Sequence, residues 1–103
     1  METEVEYKQY RRFLVLNALY KRTNGNTSQA EDLQQIAASV DIKNGNFEDA
    51  LECLPEDGFV KQLGMGSTVV FLTHVGKKAV ERVYSFPNER SEHFPSLKEM
   101  GIK

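Results

Sequence analysis

Apolar residues recur every three or four positions over four stretches of the chain, which is the spacing of one face of a helix. This pattern predicts helices over about 5–22, 28–40, 44–54 and 74–85. Two short stretches rich in β-branched and aromatic residues predict strands over about 59–63 and 68–72. The glycine-rich link between them is typical of a β-hairpin. The predicted order is therefore α-α-α-β-β-α, an α+β fold.

Polar residues mark the ends of the predicted helices. The stretch from Ser28 to Glu31 has the form of a capping box, which predicts that the second helix begins at Ser28. Thr73 is a candidate N-cap for the fourth helix. Pro55 ends the third helix or follows its end, because proline cannot donate the main-chain hydrogen bond of a helix interior. The helix boundaries thus have local chemical signals of their own.

The C-terminal residues 87–103 are polar and contain two prolines, and two interpretations stay open for them. Ser96 could cap a short helical turn that docks Leu97 and Met100, or the segment could be a loose tail. We therefore assign residues 1–86 to one domain and 87–103 to a C-terminal tail, with or without a helical turn.

Length and composition fit one small globular domain of 103 residues. No stretch is long and apolar enough to cross a membrane, and the acidic N-terminus has no apolar export signal, so we expect a cytoplasmic protein. Cys53 is the single cysteine, and His74 and His93 are distant from it in sequence. They form neither a metal-ligand spacing nor a nucleophile–base motif. We therefore predict no catalytic residues, no metal and no cofactor.

The segment from Ile36 to Val60, IAASVDIKNGNFEDALECLPEDGFV, resembles the helix-turn-helix of bacterial winged-helix transcription regulators. The segment LTHVGKKAVE, 72–81, is similar to the start of the last helix of such domains. Gly76 in that segment permits close backbone approach. The resemblance implies a winged helix whose wing is the hairpin. It implies function only by analogy, since one fold hosts many functions.

In winged-helix regulators the third helix enters the major groove and the wing contacts the DNA backbone. The resemblance therefore implies a DNA-binding transcription regulator. Asparagine can read adenine, and lysine can meet phosphate or guanine. The residues in the corresponding places are Lys43, Asn44, Asn46 and, on the wing, Lys61.

The outward positions further along the third helix oppose DNA binding. Glu48, Asp49 and Glu52 are acidic, and residues 41–75 hold two lysines against six acidic residues, a net charge of −4. Carboxylates repel phosphate. A solvated helix face explains each acid equally well, because acids near a helix N-terminus complement the helix dipole.

The alternative interpretation is a protein–protein interaction module. It would meet a basic partner through the acidic residues Glu48, Asp49 and Glu52, or use the wing around Met65. The first helix and the tail could also pair two copies, and we expect a homodimer slightly more than a monomer. The basic residues of the first and last helices otherwise serve as solubilising faces.

Overall fold

The structure is a computed structural model that describes residues 3–40 and 48–102. These residues form an α+β fold with a small antiparallel sheet. In chain order the elements are α1 (Glu4–Thr23), β1 (Ala30–Asp32), α2 (Leu33–Ser39), α3 (Glu48–Glu56), β2 (Val60–Gln62), β3 (Val69–Leu72), α4 (His74–Ser85) and α5 (Leu97–Met100).

The sheet has three antiparallel strands in the order β1-β3-β2. The predicted hairpin is confirmed as β2 and β3, in which Val60 pairs with Leu72 and Lys61 with Phe71. Strand β1 pairs with the other side of β3 and places Ala30 beside Phe71. Because β3 is central, both β1 and β2 are edge strands.

The prediction of a helix beginning at Ser28 is wrong. Residues Ala30–Asp32 form β1, and α2 begins only at Leu33. The Asp32 carboxylate caps this helix by accepting a hydrogen bond from Gln34 N at 3.0 Å. Residues 30–32 form main-chain hydrogen bonds with the edge of β3, and this pairing outweighs the capping box that predicted a helix start. The Leu33 N–H extends the pairing by donating to Thr68 O at 2.9 Å.

The other helix predictions hold more closely. Helix α4 spans His74–Ser85 as predicted, and the Thr73 hydroxyl caps it by accepting a hydrogen bond from Gly76 N at 3.0 Å. Helix α3 continues to Glu56, so Pro55 lies inside its last turn rather than at its end. The predicted start of this helix at 44 lies outside the described residues.

Helix α1 runs through the middle of the core. Its residues Phe13, Leu16 and Leu19 are fully buried, and the helix packs against α2, α3 and α4. One face of the sheet contributes Val70 and Leu72 to the same core. No helix among the described residues is long and apolar enough to span a membrane.

The C-terminal segment is docked, which decides between its two interpretations. Ser96 caps α5 by accepting a hydrogen bond from Glu99 N at 3.1 Å, and Leu97 and Met100 are buried. The ring of Phe94 lies between those of Phe13 and Phe59, with centroid distances of 5.4 and 5.6 Å. The segment therefore completes the core instead of trailing from it.

Candidate binding surface

The surface that the sequence predicts as a binding site comprises the exposed side of α3 and the neighbouring hairpin. We call it the α3–hairpin surface and define it by Glu48, Glu52, Lys61, Leu63 and Met65, all of them exposed. The two elements meet where Pro55 of α3 lines the same grooves as Gln62 of β2. The last turn of α3 and strand β2 therefore lie side by side.

Asp49, predicted as part of the binding face, instead ties α3 to α1. Its carboxylate accepts two hydrogen bonds from the Arg12 guanidinium, from Nε at 2.7 Å and from a terminal nitrogen at 3.1 Å. Both side chains are about three-quarters buried. This bidentate pair holds the pKa of Asp49 below its usual value, chiefly through the hydrogen bonds from Arg12. Asp49 is thus engaged within the fold.

Cys53 lies one turn after Asp49 and is half-buried. Its Sγ is 3.6 Å from Asp49 Oδ1. Burial is the main cause that raises the pKa of the Cys53 thiol. A raised pKa favours the protonated thiol at neutral pH.

The hairpin carries both a cation and exposed apolar groups. Lys61 projects from the middle of β2 and is exposed. Beyond the strand, Leu63 is 64% exposed and Met65 at the tip is fully exposed. Met65 was predicted as a candidate partner contact, whereas Leu63 was not. The sequence did hold a signal that Leu63 is exposed. Side chains alternate between the two faces of a strand, so Leu63 lies on the same side as Lys61.

Two concavities border this surface. A shallow groove of about 580 Å³ runs along β2 from Pro55 and Gly58 to Met65. A smaller one of about 140 Å³ lies between α3 and the hairpin, with Leu33, Leu51 and Val70 among its lining residues. The surface is therefore concave beside the outer edge of β2.

Each of the five arginines forms an ion pair with an acidic residue of the same chain. The pairs and their distances are Arg11–Glu4 (3.8 Å), Arg12–Asp49 (2.7 Å), Arg22–Glu31 (2.7 Å), Arg82–Glu89 (3.9 Å) and Arg90–Glu6 (2.7 Å). Lys77 lies at the far end of α1, beside Gly25, while Arg12 faces α3. Lys77 and Arg12 therefore lie on different parts of the molecule.

The structure tests only part of the predicted DNA contact. Lys43, Asn44 and Asn46 lie outside the described residues, so their role stays a prediction. Lys61 is the only cation on the described part of the α3–hairpin surface. Sequence reasoning missed Arg12 as the partner of Asp49, because 37 residues separate the two and neither carries a local signal.

Among the described residues, no three His, Cys, Asp or Glu side chains are grouped so that they could hold a metal ion. Comparison of the chain with protein-family models, with curated proteins and with solved structures finds no match.

Proposed function

We propose that this chain is a non-enzymatic binding module of the winged-helix type whose partner is a basic segment of another protein. The observation that carries this proposal is the composition of the α3–hairpin surface. It combines acidic residues on α3 with the exposed apolar side chains of Leu63 and Met65. Exposed apolar residues with a charged surround are typical of interaction sites.

The order of the elements supports the winged-helix part of the proposal. Helix α2 and helix α3 are followed directly by the β2–β3 hairpin, and β1 joins that hairpin as a third strand. This order agrees with what the resemblance at 36–60 implies, and the hairpin then corresponds to the wing.

Charge favours protein over DNA as the partner. Glu52 and Glu56 are exposed on α3, and Asp57 follows them. Phosphate binding draws chiefly on arginine and lysine. The five arginines are already paired with acids of the same chain. A partner with lysine or arginine side chains gains from this surface, and a nucleic acid does not.

DNA binding is the second candidate function. The same element order favours it, as does the exposed Lys61 on the hairpin. Lys43, Asn44 and Asn46 would supply the base contacts, with Lys61 on the backbone. A homodimer would then be the assembly that presents two reading helices.

A charge-reversal pair tests the choice between the two partners. The variant Glu52→Lys with Glu56→Lys reverses the charge of α3. The control Glu89→Lys with Glu92→Lys makes the same change of net charge on the C-terminal segment. Random peptides displayed on phage are selected on the wild-type chain, and the enriched peptides are then tested on both variants. We expect basic peptides that lose about tenfold or more in affinity on the α3 variant and little on the control.

Titration with a mixed-sequence DNA duplex at low salt is the complementary arm. We expect no saturable binding by the wild-type chain and a gain of affinity in the α3 variant. The DNA candidate replaces our proposal if the wild-type chain binds the duplex, its amides from Glu48 to Cys53 and around Met65 shift, and affinity falls as salt rises. Enriched peptides that bind the α3 variant as tightly as the wild-type chain would also contradict the proposal.

A further inference from the structure

The face of the sheet that points away from the core carries an aromatic ring on its central strand. Val70 and Leu72 of β3 point inward and are each 1% exposed, whereas Phe71 between them lies on the opposite face and is half-buried. Its cross-strand neighbours are Lys61 on β2 and Ala30 on β1. Residues directly opposite each other in antiparallel strands place their side chains on the same face. The ring therefore has a lysine on one side and only a methyl group on the other.

A pocket of about 450 Å³ opens beside this ring, at the end of the sheet where α4 begins. Besides Phe71 and Lys61, it is lined by Thr27, Ser28, Leu72, Thr73 and His74. None of the lining residues is acidic, whereas α3 exposes Glu52 and Glu56. The pocket therefore combines an aromatic ring and an ammonium group with an imidazole and hydroxyl groups, and it differs in charge from α3.

The polar groups of the pocket differ in how far the fold already uses them. The Thr73 hydroxyl is engaged, because it donates to Gly58 O at 2.6 Å and accepts from Gly76 N at 3.0 Å. Ser28, Lys61 and His74 are exposed, and their side chains form no hydrogen bond or ion pair with the rest of the described chain. Hydroxyl, ammonium and imidazole groups can all donate hydrogen bonds. These side chains are therefore available to a ligand.

The lining favours one chemical class of ligand. An ammonium group attracts an anion, and its hydrogen bonds to phosphate or carboxylate oxygens are strengthened by the charge. An aromatic ring packs favourably against a second planar ring. The volume of about 450 Å³ is in the range of small-molecule pockets. A phosphate or carboxylate joined to a planar ring would meet Lys61 and Phe71 at the same time.

We propose that this pocket binds a small organic anion in which a phosphate or a carboxylate is joined to a planar ring. Lys61 contacts the anionic group, Ser28 and His74 donate further hydrogen bonds to it, and the ring of the ligand packs on Phe71. This site goes beyond the proposed function, because a pocket lined by a lysine and by no acid does not suit the basic partner proposed for α3. It stands or falls independently of peptide binding.

Titrations of the full chain, followed by its amide NMR shifts, test the pocket. The probes are adenosine monophosphate and indole-3-acetate, which join a ring to a phosphate and to a carboxylate. Their fragments are inorganic phosphate, adenosine, acetate and indole. We expect at least one intact probe to shift the amides of Ser28, Phe71 and His74, with a Kd of about 1 mM or lower and about tenfold or more below that of either fragment. The tighter probe identifies the anionic group.

Two variants separate the contributions of charge and ring. Lys61→Gln should weaken binding of the tighter probe about tenfold or more, since it removes the ammonium group. Phe71→Leu should weaken it about threefold or more, because leucine keeps an apolar contact without the flat ring. The control Lys98→Gln makes the same change of net charge at an exposed residue of α5 and should leave the affinity within about twofold. Circular dichroism checks that all three variants fold.

Several results would overturn the proposal. The pocket is not a ligand site if neither intact probe shifts its amides at about 10 mM, or if the fragments bind as tightly as the intact probes. Equal losses in Lys61→Gln and Lys98→Gln would mean only a general attraction of anions to lysine. A DNA duplex that displaces the probe and binds about tenfold or more tightly would instead assign Lys61 to a contact with the DNA backbone.

Discussion

At the residue scale, a single glycine sets how closely α4 approaches the sheet. A Cβ on Gly76 would lie 2.1 Å from the main-chain oxygen of Phe59 and 2.9 Å from its carbonyl carbon. Both contacts are with backbone, which cannot move aside as a flexible side chain would. The sequence predicted this close approach from the position of the glycine in the first turn. It could not identify Phe59 as the neighbour, because the contact joins distant parts of the chain.

We expect Gly76→Ala to lower the free energy of unfolding by about 3 kcal/mol or more, because the added methyl group overpacks against backbone. Urea denaturation followed by circular dichroism measures this. The control Gly64→Ala, whose Cβ would meet nothing within 4 Å, should change the free energy by less than about 0.5 kcal/mol. Stabilisation of about 1 kcal/mol by Gly76→Ala, as helix propensity alone predicts, would contradict this interpretation of the contact.

At the scale of elements, the sequence predicted those elements whose signals are local. Helix α4 has an apolar face and a capping threonine, and its bounds were predicted without error. Strand β1 was missed because its three residues, Ala30–Asp32, include no β-branched or aromatic side chain. Pairing with β3 alone makes it a strand. The tie between α1 and α3 through Arg12 and Asp49 was likewise beyond local signals, since it joins helices that are distant in sequence.

The docking of the C-terminal segment provides a test at the same scale. Phe94 is 2% exposed and packs between the rings of Phe13 and Phe59. We expect Phe94→Ala to lower the free energy of unfolding by about 3–5 kcal/mol, because it removes a large buried ring and leaves a cavity. Thermal and urea unfolding measure the loss.

The control for Phe94 is Phe86→Ala, since Phe86 is 47% exposed and its ring stacks with the Arg82 guanidinium at 4.1 Å. It should cost no more than about 1 kcal/mol. Equal losses in the two variants would show that the segment contributes little to the core.

At the scale of the whole molecule, ion pairs make the free energy of unfolding depend on pH. The pKa of Asp49 is held below its ordinary value of 3.8 by hydrogen bonds from Arg12. Burial raises the pKa of Glu99, but hydrogen bonds from Arg90 and Ser96 outweigh burial, so it too lies below its ordinary value. A lowered pKa in the folded chain means that the unfolded chain binds the proton first as pH falls.

The contribution of Asp49 is therefore fully present above pH 3.8 and is lost as pH falls through the lower pKa of the folded state. We expect Asp49→Asn to lower the free energy of unfolding by about 2 kcal/mol at neutral pH and the two chains to converge in acid. Urea unfolding at a series of pH values measures this difference. The control Glu52→Gln changes an exposed acid of the same helix and should stay near the wild-type chain throughout. A constant gap between Asp49→Asn and the wild-type chain at every pH would contradict the linkage.

The insertion of Phe94 between Phe13 and Phe59 also has a consequence for biosynthesis. The N-terminus leaves the ribosome first, so α1 and the hairpin emerge before Phe94, which fills the space between Phe13 and Phe59. Until residue 94 leaves the exit tunnel, the space between Phe13 and Phe59 stays unfilled, and these two side chains are only partly packed. Cooperative folding should therefore be a late event in translation, and pausing before this point would prolong the time during which apolar surface is open to chaperones.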